Sequence, residues 1–319
     1  MIDTYFIPAR AHEGCVWIPE TNRLYFSTTK QLPATDVSLQ YLDFSDYDLG
    51  NATDWAERLA GSAVESLSPQ TLVADANMAN SFCRDGAGHL LVCEQGTQDT
   101  LARISRVSLR DGSRTVVTDH FDGEPFNSPN KVLRTRAGHI VFSDPDYGFR
   151  QGFRPPPVRE PALYVLPSNG APYAFDCNLE MPHGLALSPD ETSLFVTDTS
   201  ADGAHDGVDL DRRRAVFRFD FDPASGRIAG SGEHCFSVDE GVPDGSITHE
   251  DRLLVGGGDG VYLADPEGQL LGKIPLKHTA VNLCVAGPGG RHLFVTADAG
   301  VYLLLDWGGR VSEWIADPS

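Results

Sequence analysis

Six short apolar segments of this chain are each preceded by one polar residue, and this repeat limits the fold more than any other feature. A second apolar segment begins nine to eleven residues after each polar residue, and the turn between them is rich in Gly, Pro, Asn and Asp. The second segments read LYFST, LLVCE, IVFSD, LFVTD, LLVGG and LFVTA. Each unit therefore predicts a strand, a turn and a second strand. The six polar residues are Glu13, Asn80, Asn130, His183, Asp244 and Asn282.

Successive polar residues lie 38 to 67 residues apart, which is typical of a propeller in which each repeat forms one small sheet around a central channel. We therefore predict an all-β, six-bladed β-propeller that spans residues 1–319 as a single domain. A ring of blades has to be closed, and we expect the N-terminal TYFIPA segment to pair with the last blade. The first blade is expected to run from Glu13 to about Ala60, with a partly helical excursion over residues 54–63.

Composition and charge exclude several classes of function. A formal net charge of −20 repels phosphate groups and argues against nucleic acid or an anionic membrane as a partner, so we expect a small-molecule substrate. No apolar run approaches the roughly 18 residues that cross a bilayer. The N-terminal segment lacks the pattern of a secretory signal, which predicts a cytoplasmic protein. The six cysteines show no CxxC spacing and are expected to be reduced and buried.

The polar residues of the repeat also indicate a site. If each one opens the innermost strand of its blade, all six lie at one level of the channel and face one another. Converging carboxylate, amide and imidazole groups offer the oxygen and nitrogen ligands that a divalent metal ion needs. For any single residue the alternative is a cap on a turn or strand end. Six such residues in one register favour the metal site.

A proline-rich insertion follows the third of these units and reads YGFRQGFRPPPVREPALY. Three consecutive prolines cannot join a central β-ladder, so residues 149–161 are predicted to form a loop over one face of the ring. Such a loop either shapes a binding pocket or serves as a connector. The chain has no GxSxG sequence, which argues against a Ser-His-Asp triad on a nucleophile elbow.

Several segments together resemble the gluconolactonase/regucalcin family of six-bladed propellers. These segments are EGCVW, FNSPNKV with IVFSDPDYG, MPHGLALSPDETSLFVTDT, VPDGS and HLFVTADAGVYLL. The GFRPPP insertion and CEQG look most like the microbial gluconolactonase and aldonolactone hydrolase branch. The resemblance covers nearly the whole chain. It implies one divalent cation, usually calcium, at the floor of the channel and cleavage of a lactone or similar ester above it.

The resemblance also implies roles for individual residues. Glu13, Asn130 and Asp244 match metal-facing positions of the family, and Asp244 is in addition the favoured general base or nucleophile. His183 stands where the family usually has Asn, and Lys131 stands where it has Asp. An imidazole suits zinc or another transition metal better than calcium, so the identity of the metal stays open. Lys131 is expected to stabilise an oxyanion or to anchor a substrate carboxylate.

The expected site therefore has three sets of residues. The expected metal ligands are Glu13, Asn130, His183 and Asp244. The expected catalytic residues are Asp244, Lys131 and His183. The expected substrate-binding residues are Asn80, Glu94 and Asn282, which would line the channel wall.

Three classes of function fit this sequence. The first is hydrolysis of a lactone or related small ester with a divalent metal ion as Lewis acid. The second is a lyase, isomerase or cyclase that acts on a biosynthetic intermediate, with His183 as acid or base and Lys131 as an electrostatic or Schiff-base group. The third is a binding or metal-buffering protein without catalysis. His183 and Lys131 depart from the family pattern, so their roles bear most directly on which of the three classes is correct.

Overall fold

The computed structural model describes residues 4–47, 67–86, 88–203 and 207–308. Within these ranges the chain forms six four-stranded antiparallel sheets and one two-stranded hairpin. In five sheets the four strands follow one another in sequence, whereas the sixth combines three late strands with the first strand of the chain. The first strands of the successive sheets contact one another around a ring. The predicted all-β, six-bladed propeller is confirmed.

The strands and their bounds are as follows. The first strand of the chain is β1 (Thr4–Pro8), which precedes the first blade. The first blade contains β2 (Val16–Ile18), β3 (Arg23–Ser27), β4 (Leu39–Asp43) and β5 (Gln70–Val73). The second blade contains β6 (Ala79–Arg84), β7 (His89–Glu94), β8 (Arg103–Ser108) and β9 (Arg114–Thr118), and the hairpin β10 (His120–Phe121) and β11 (Glu124–Pro125) follows it. The third blade contains β12 (Val132–Arg134), β13 (Ile140–Asp144), β14 (Ala162–Leu166) and β15 (Tyr173–Phe175).

The remaining three blades complete the ring. The fourth blade contains β16 (Pro182–Leu187), β17 (Ser193–Asp198), β18 (Ala215–Asp222) and β19 (Arg227–Ser237). The fifth blade contains β20 (Ser246–His249), β21 (Arg252–Gly257), β22 (Gly260–Ala264) and β23 (Leu270–Pro275). The sixth blade contains β24 (Asn282–Ala286), β25 (His292–Thr296), β26 (Gly300–Leu304) and β1. The described helical segments are α1 (Tyr147–Arg150) and a 3-10 turn over Pro288–Gly290.

Strand β1 closes the ring. It pairs antiparallel with β26, in a register that places Thr4 opposite Leu304 and Pro8 opposite Gly300. The predicted pairing of the N-terminal segment with the last blade is therefore confirmed. This pairing leaves β1 on the outside of the sixth blade, where a short strand that ends in proline is well suited to an edge.

The core consists of six apolar clusters, one between each pair of neighbouring blades. Between the first and the last blade, for example, the ring of Trp17 stacks on Phe294 with centroids 5.6 Å apart. Because each blade packs on both faces, a strand such as β25 is buried at every residue and reads as a continuous apolar run. Packing on two faces explains why the second strand of each unit was the clearer sequence signal.

Two expectations about local structure need correction. The first blade does not end near Ala60, because its outermost strand β5 lies at Gln70–Val73. The predicted excursion over residues 54–63 lies outside the described residues. The proline-rich insertion is a loop as predicted, but it begins with the single helical turn α1.

Two further expectations concern the state of the cysteines and the absence of a membrane-spanning segment. All six cysteines are free. Three are buried as expected, and three are only half-buried because they face the channel or the outer edge of a blade. The buried set is Cys15, Cys93 and Cys177, and the half-buried set is Cys83, Cys235 and Cys284. No helix in the described ranges has the length and apolar character that a membrane crossing requires.

Candidate active site

The six polar residues of the repeat lie at the start of the innermost strands. The predicted register is therefore confirmed in the fold. Asn80, His183 and Asn282 are the first or second residues of β6, β16 and β24. Glu13, Asn130 and Asp244 lie two or three residues before β2, β12 and β20.

Three of these residues form a compact cluster of potential metal ligands. One ligand atom from each of Glu13, His183 and Asp244 lies within 4.8 Å of the other two. His183 Nδ1 is 3.3 Å from Asp244 Oδ1, and His183 Nε2 is 4.0 Å from Glu13 Oε1. The side chains of Glu13 and His183 are buried, and that of Asp244 is 19% exposed. The ligand set is thus two carboxylates and one imidazole, drawn from three different blades.

Four buried polar atoms at this end of the channel have no hydrogen-bond partner in the described part of the chain. They are His183 Nδ1, Asp244 Oδ1, Asn130 Oδ1 and Asn80 Oδ1. Buried polar atoms are nearly always paired, because desolvation without a partner costs about 1–3 kcal/mol per group. The unpartnered Asp244 oxygen and His183 nitrogen, which lie beside Glu13, fit a divalent cation.

Asn282 and Lys131 form the floor of this cluster. The Asn282 side-chain amide donates to Glu13 Oε2, and also to Ser81 Oγ at 3.3 Å. Its carbonyl oxygen accepts a hydrogen bond from Lys131 Nζ at 3.3 Å. Lys131 is only 8% exposed, so its ammonium group lies inside the channel and not in bulk solvent. Asn282 therefore fixes the Glu13 carboxylate and a buried cation at the same time.

The electrostatics of the cluster make Asp244 its most basic carboxylate. Burial, followed by the negative charge of Glu13, raises the pKa of Asp244 well above its ordinary value. Burial also acts on Glu13, but the nearby His183, Lys131 and His12 bring the pKa of Glu13 below its ordinary value. Burial lowers the pKa of His183 from about 6.5 to about 4, so its imidazole is neutral near pH 7 and has a lone pair for a metal ion. The metal-free cluster favours a proton on Asp244 and a charge on Glu13.

Hydrogen bonds between neighbouring blades hold these residues in place. Ser143 Oγ, from the third blade, donates to the carbonyl oxygen of His183 at 2.7 Å. Thr197 Oγ1, from the fourth blade, donates to the carbonyl oxygen of Asp244 at 3.2 Å and accepts from Gly184 N at 2.6 Å. The backbones that carry the two metal-ligand candidates are therefore joined through one threonine hydroxyl.

An acidic residue ends the second strand in three blades, and in two of them it accepts backbone hydrogen bonds from the turn before the innermost strand. The carboxylate of Asp144 accepts hydrogen bonds from Asn127 N at 2.9 Å and Ser128 N at 2.8 Å, in the turn that leads to Asn130. Asp198 accepts from Met181 N at 3.3 Å, just before the fourth blade begins. Such bonds satisfy buried backbone donors and fix the turn.

Glu94 is the third of these acids, and this position removes it from the channel wall. Its carboxylate accepts hydrogen bonds from Arg103 Nε at 2.6 Å, Asn77 Nδ2 at 2.9 Å and Ser105 Oγ at 2.5 Å. Glu94 is 1% exposed, so no substrate reaches it past these partners. The structure brings Asn80, Asn130 and Asn282 towards the cluster but directs Glu94 to the side of its own blade.

Sequence reasoning missed residues on the mouth side of the cluster. Tyr147, from α1, packs edge-on against the imidazole of His183 with ring centroids 5.5 Å apart. Lys30 follows β3 and contacts the proline-rich insertion, where its Nζ donates to Gln151 Oε1 at 3.4 Å. Tyr147 was present in the quoted family segment, whereas Lys30 belongs to no repeat or motif that would have marked it.

The opposite end of the channel holds a cavity of about 890 Å³. It is separate from the cluster, since Glu13, His183 and Asp244 do not line it, while Lys131 lies between the two. Its wall includes Cys15 and Cys284, whose Sγ atoms are 3.5 Å apart across the junction of the first and last blades. The wall is otherwise mostly apolar, and its remaining lining residues include Val132, Leu185, Ile247 and Leu283.

Comparison with known proteins gives relatives of similar sequence. Over 228 residues the chain is 29% identical to a gluconolactonase of Zymomonas mobilis, a match that covers 67% of this chain and 59% of that protein. Over 320 residues it is 25% identical to the lactonohydrolase oryL of Aspergillus oryzae, covering 93% of this chain and 68% of that protein. The chain thus spans only part of the length of each of these relatives.

Solved structures share the fold. A gluconolactonase from Xanthomonas campestris has 26% identity and a TM-score of 0.71, and the match covers 94% of this chain and 87% of that one. A calcium-binding protein, regucalcin, from Agrobacterium tumefaciens has 15% identity and a TM-score of 0.67 over 95% of this chain and 93% of its own, which shows the fold alone. The model of the SMP-30/Gluconolactonase/LRE-like region matches residues 11–299. This range includes the first five blades, the two inner strands of the sixth and the whole cluster, and the chain therefore belongs to the SMP-30/gluconolactonase/LRE-like family.

Proposed function

We propose that this protein is a divalent-cation-dependent hydrolase of a lactone or related small ester. The observation that carries the proposal is the buried cluster in which Asp244 Oδ1 and His183 Nδ1 lack partners beside Glu13. A gluconolactonase and a lactonohydrolase among the relatives support the reaction class.

The residues present fit a metal ion. Glu13, His183 and Asp244 would hold it, with the side-chain oxygen of Asn130 as a fourth ligand. When bound, a divalent cation supplies Lewis acidity towards the lactone carbonyl oxygen. The carboxylate and amide oxygens suit calcium, and the single imidazole makes zinc or another transition metal the alternative.

Asp244 is the proposed general base. Its side chain is 19% exposed whereas that of Glu13 is buried, so Asp244 is the carboxylate of the cluster that a water molecule at the mouth can reach. It would take a proton from the water molecule whose oxygen attacks the carbonyl carbon. After the ring C–O bond breaks, the same carboxyl group can return that proton to the departing alkoxide.

Lys131 and the asparagine side chains would position the substrate. The Lys131 ammonium is held by Asn282 with two further donors free for an oxyanion or for a carboxylate of the product. Asn80 is the proposed partner of a substrate hydroxyl, because its buried side-chain oxygen has no partner within the described ranges. Glu94 is not proposed to contact the substrate, and Asn282 is proposed as a positioning residue.

Hydrolysis of D-glucono-1,5-lactone, followed by pH-stat and corrected for the spontaneous rate, tests the proposal. We expect activity in the presence of calcium or zinc, and loss of activity after chelation with recovery when the metal is returned. Asp244→Asn should lower kcat by about 100-fold or more, which is the usual contribution of a general base. Asp251→Asn removes an exposed acid and serves as the matched control.

Two results would contradict the proposal. Turnover that chelator and added metal leave unchanged would exclude the metal-dependent reaction. A metal-loaded protein that hydrolyses no lactone would exclude the hydrolase and favour a different reaction on the same scaffold.

A further inference from the structure

Lys30 is a cation at the mouth of the site without an acidic partner. Its Nζ has one hydrogen bond, a long one of 3.4 Å to the side-chain amide of Gln151, and lies 5.6 Å from the ring centre of Phe153. Among the described residues no carboxylate oxygen lies within 4.0 Å of this Nζ. An amide at 3.4 Å is a weak partner for an ammonium group, which prefers ionised acceptors at about 2.7–2.9 Å.

Most of the lysines and arginines in the described part of this acidic chain do have an acidic partner. The net charge is −20, and cations elsewhere do find acids: Arg23 Nε is 2.9 Å from Asp43, and Lys273 forms ion pairs with Asp239 and Asp259. Lys131, the other lysine near the cluster, likewise has an amide as its partner. Lys30 and Lys131, which each have a side-chain amide as partner, thus approach the same site from opposite sides.

Four described acids, Glu13, Asp244, Asp298 and Asp202, lie near enough for their charges to act on Lys30, but none forms an ion pair with its Nζ. Asp298 accepts a hydrogen bond from His12 at 2.7 Å. Glu13 and Asp244 belong to the metal cluster, and their two negative charges would be balanced by one divalent cation. Desolvation lowers the pKa of Lys30 in spite of the carboxylates of Glu13 and Asp244, which act in the other direction. With the cation bound, Asp298 and Asp202 are the remaining described acids that act on the Lys30 charge, and neither lies within ion-pair distance of its Nζ.

We propose that Lys30 binds a negatively charged group of the substrate, so that the preferred substrate is an acidic lactone. Such a lactone carries a carboxylate or a phosphate at the end remote from the ring ester. This inference rests on the proposed function, because it assigns a substrate class to the same site. The insertion holds Lys30 through Gln151 and Phe153, and Tyr147 of the same segment packs on His183, so a group bound by Lys30 would lie next to the cluster.

A matched pair of substrates tests the assignment. D-Glucono-1,4-lactone and D-glucaro-1,4-lactone differ only at carbon 6, which is a neutral hydroxymethyl group in the first and a carboxylate in the second. We expect the wild-type protein to prefer the acidic lactone in kcat/KM. Lys30→Met should lower kcat/KM for the acidic lactone by about 10- to 100-fold, the usual effect of losing a charge-assisted hydrogen bond, and change the neutral one little. Lys30→Arg should restore part of the preference.

Two controls complete the design. Lys277→Met removes an exposed lysine for which the described residues show no contact with the cluster or the insertion, and it should leave both rates unchanged. 6-Phospho-D-glucono-1,5-lactone, compared with D-glucono-1,5-lactone, shows whether the preferred anion is a phosphate. Loss of either preference in Lys30→Met supports the proposal and identifies the anion.

Binding provides a readout that does not depend on turnover. Calorimetric titration with D-glucarate and D-gluconate, the stable open-chain acids, should show tighter binding of the dianion and loss of this difference in Lys30→Met. Absence of hydrolysis with this binding pattern would refute the hydrolase but retain Lys30 as an anion site. Equal rates for neutral and acidic lactones, or an equal loss of both in Lys30→Met, would overturn the role of Lys30 while the hydrolase stands.

Discussion

The substitution Gly184→Ala should disable the site through the backbone of Asp244. An ideal Cβ on Gly184 would lie 2.2 Å from the carbonyl oxygen of Asp244 and 3.0 Å from Thr197 Oγ1, whereas ordinary contacts begin near 3.4 Å. The Asp244 oxygen would have to retreat by about 1 Å, and it belongs to a backbone that cannot rotate aside as a flexible side chain would. Gly184 does not have the left-handed φ that favours glycine, so the expected effect is purely steric.

The magnitude follows from this displacement. Overpacking of a well-packed site typically costs about 1–3 kcal/mol, which for a chain of this size lowers the melting temperature by a few degrees. A shift of about 1 Å in a catalytic group can cost about 100-fold in rate. We therefore expect a folded variant with a small loss of stability, weaker affinity for the divalent cation and a fall in kcat/KM of about 100-fold.

Three measurements on the same samples test this prediction: a thermal melt, a metal titration and lactone hydrolysis. Gly308→Ala is the matched control, because a Cβ there meets nothing closer than 3.9 Å. If Gly184→Ala has the melting temperature and the metal affinity of the wild type, the inferred steric clash between residue 184 and the Asp244 backbone is wrong. If it loses stability but keeps its metal affinity, the Asp244 side chain is positioned independently of its carbonyl group.

Three further predictions concern protons and thiols. Binding of a divalent cation should release protons at a pH above the ordinary range of an aspartate, because burial and Glu13 raise the pKa of Asp244; calorimetry in buffers of different ionisation enthalpy measures this, and a buffer-independent heat across the pH range would contradict it. In metal-free protein the contribution of His183 to stability should fall as the pH drops from about 6.5 to about 4, since the unfolded state protonates His183 first, whereas the raised pKa of Asp244 acts in the opposite direction; urea unfolding of His183→Asn should therefore show less destabilisation by acid than the wild type. Diamide should link Cys15 to Cys284, whose sulfur atoms are 3.5 Å apart, and raise the melting temperature; peptide mapping checks the link, with Cys284→Ser as control.

The ring could be predicted from the sequence because the same repeat of a polar residue before an apolar strand determines both the packing of the blades and the position of the site residues. Each blade needs a buried inner strand, and the residue that precedes it faces the channel, so the spacing of Glu13, Asn130 and Asp244 followed from the blade repeat. The closing pair of β1 and β26 was predictable for a similar reason, because an open ring would leave two unpaired edges.

The remaining features depend on contacts between distant parts of the chain. Glu94 has the sequence position of a channel residue, but Arg103 and Asn77 draw its carboxylate to the side of the blade. Lys30 reaches the mouth only because the insertion after β13 folds against it. Neither interaction recurs with the blade repeat or leaves a local sequence motif, so neither could be predicted from a single sequence.

Strand β1 and the Asn282–Glu13 hydrogen bond both join the first part of the chain to the last blade. During synthesis β1 emerges first and its partner β26 almost last, so the ring stays open until nearly all the described chain is available. While the ring is open, the blades that carry Glu13 and Asp244 are not yet packed around one channel, so the growing chain has no strong cation site. A ligand that binds only the folded state stabilises that state. A divalent cation would therefore bind only after every blade has folded, and its binding would stabilise the closed ring.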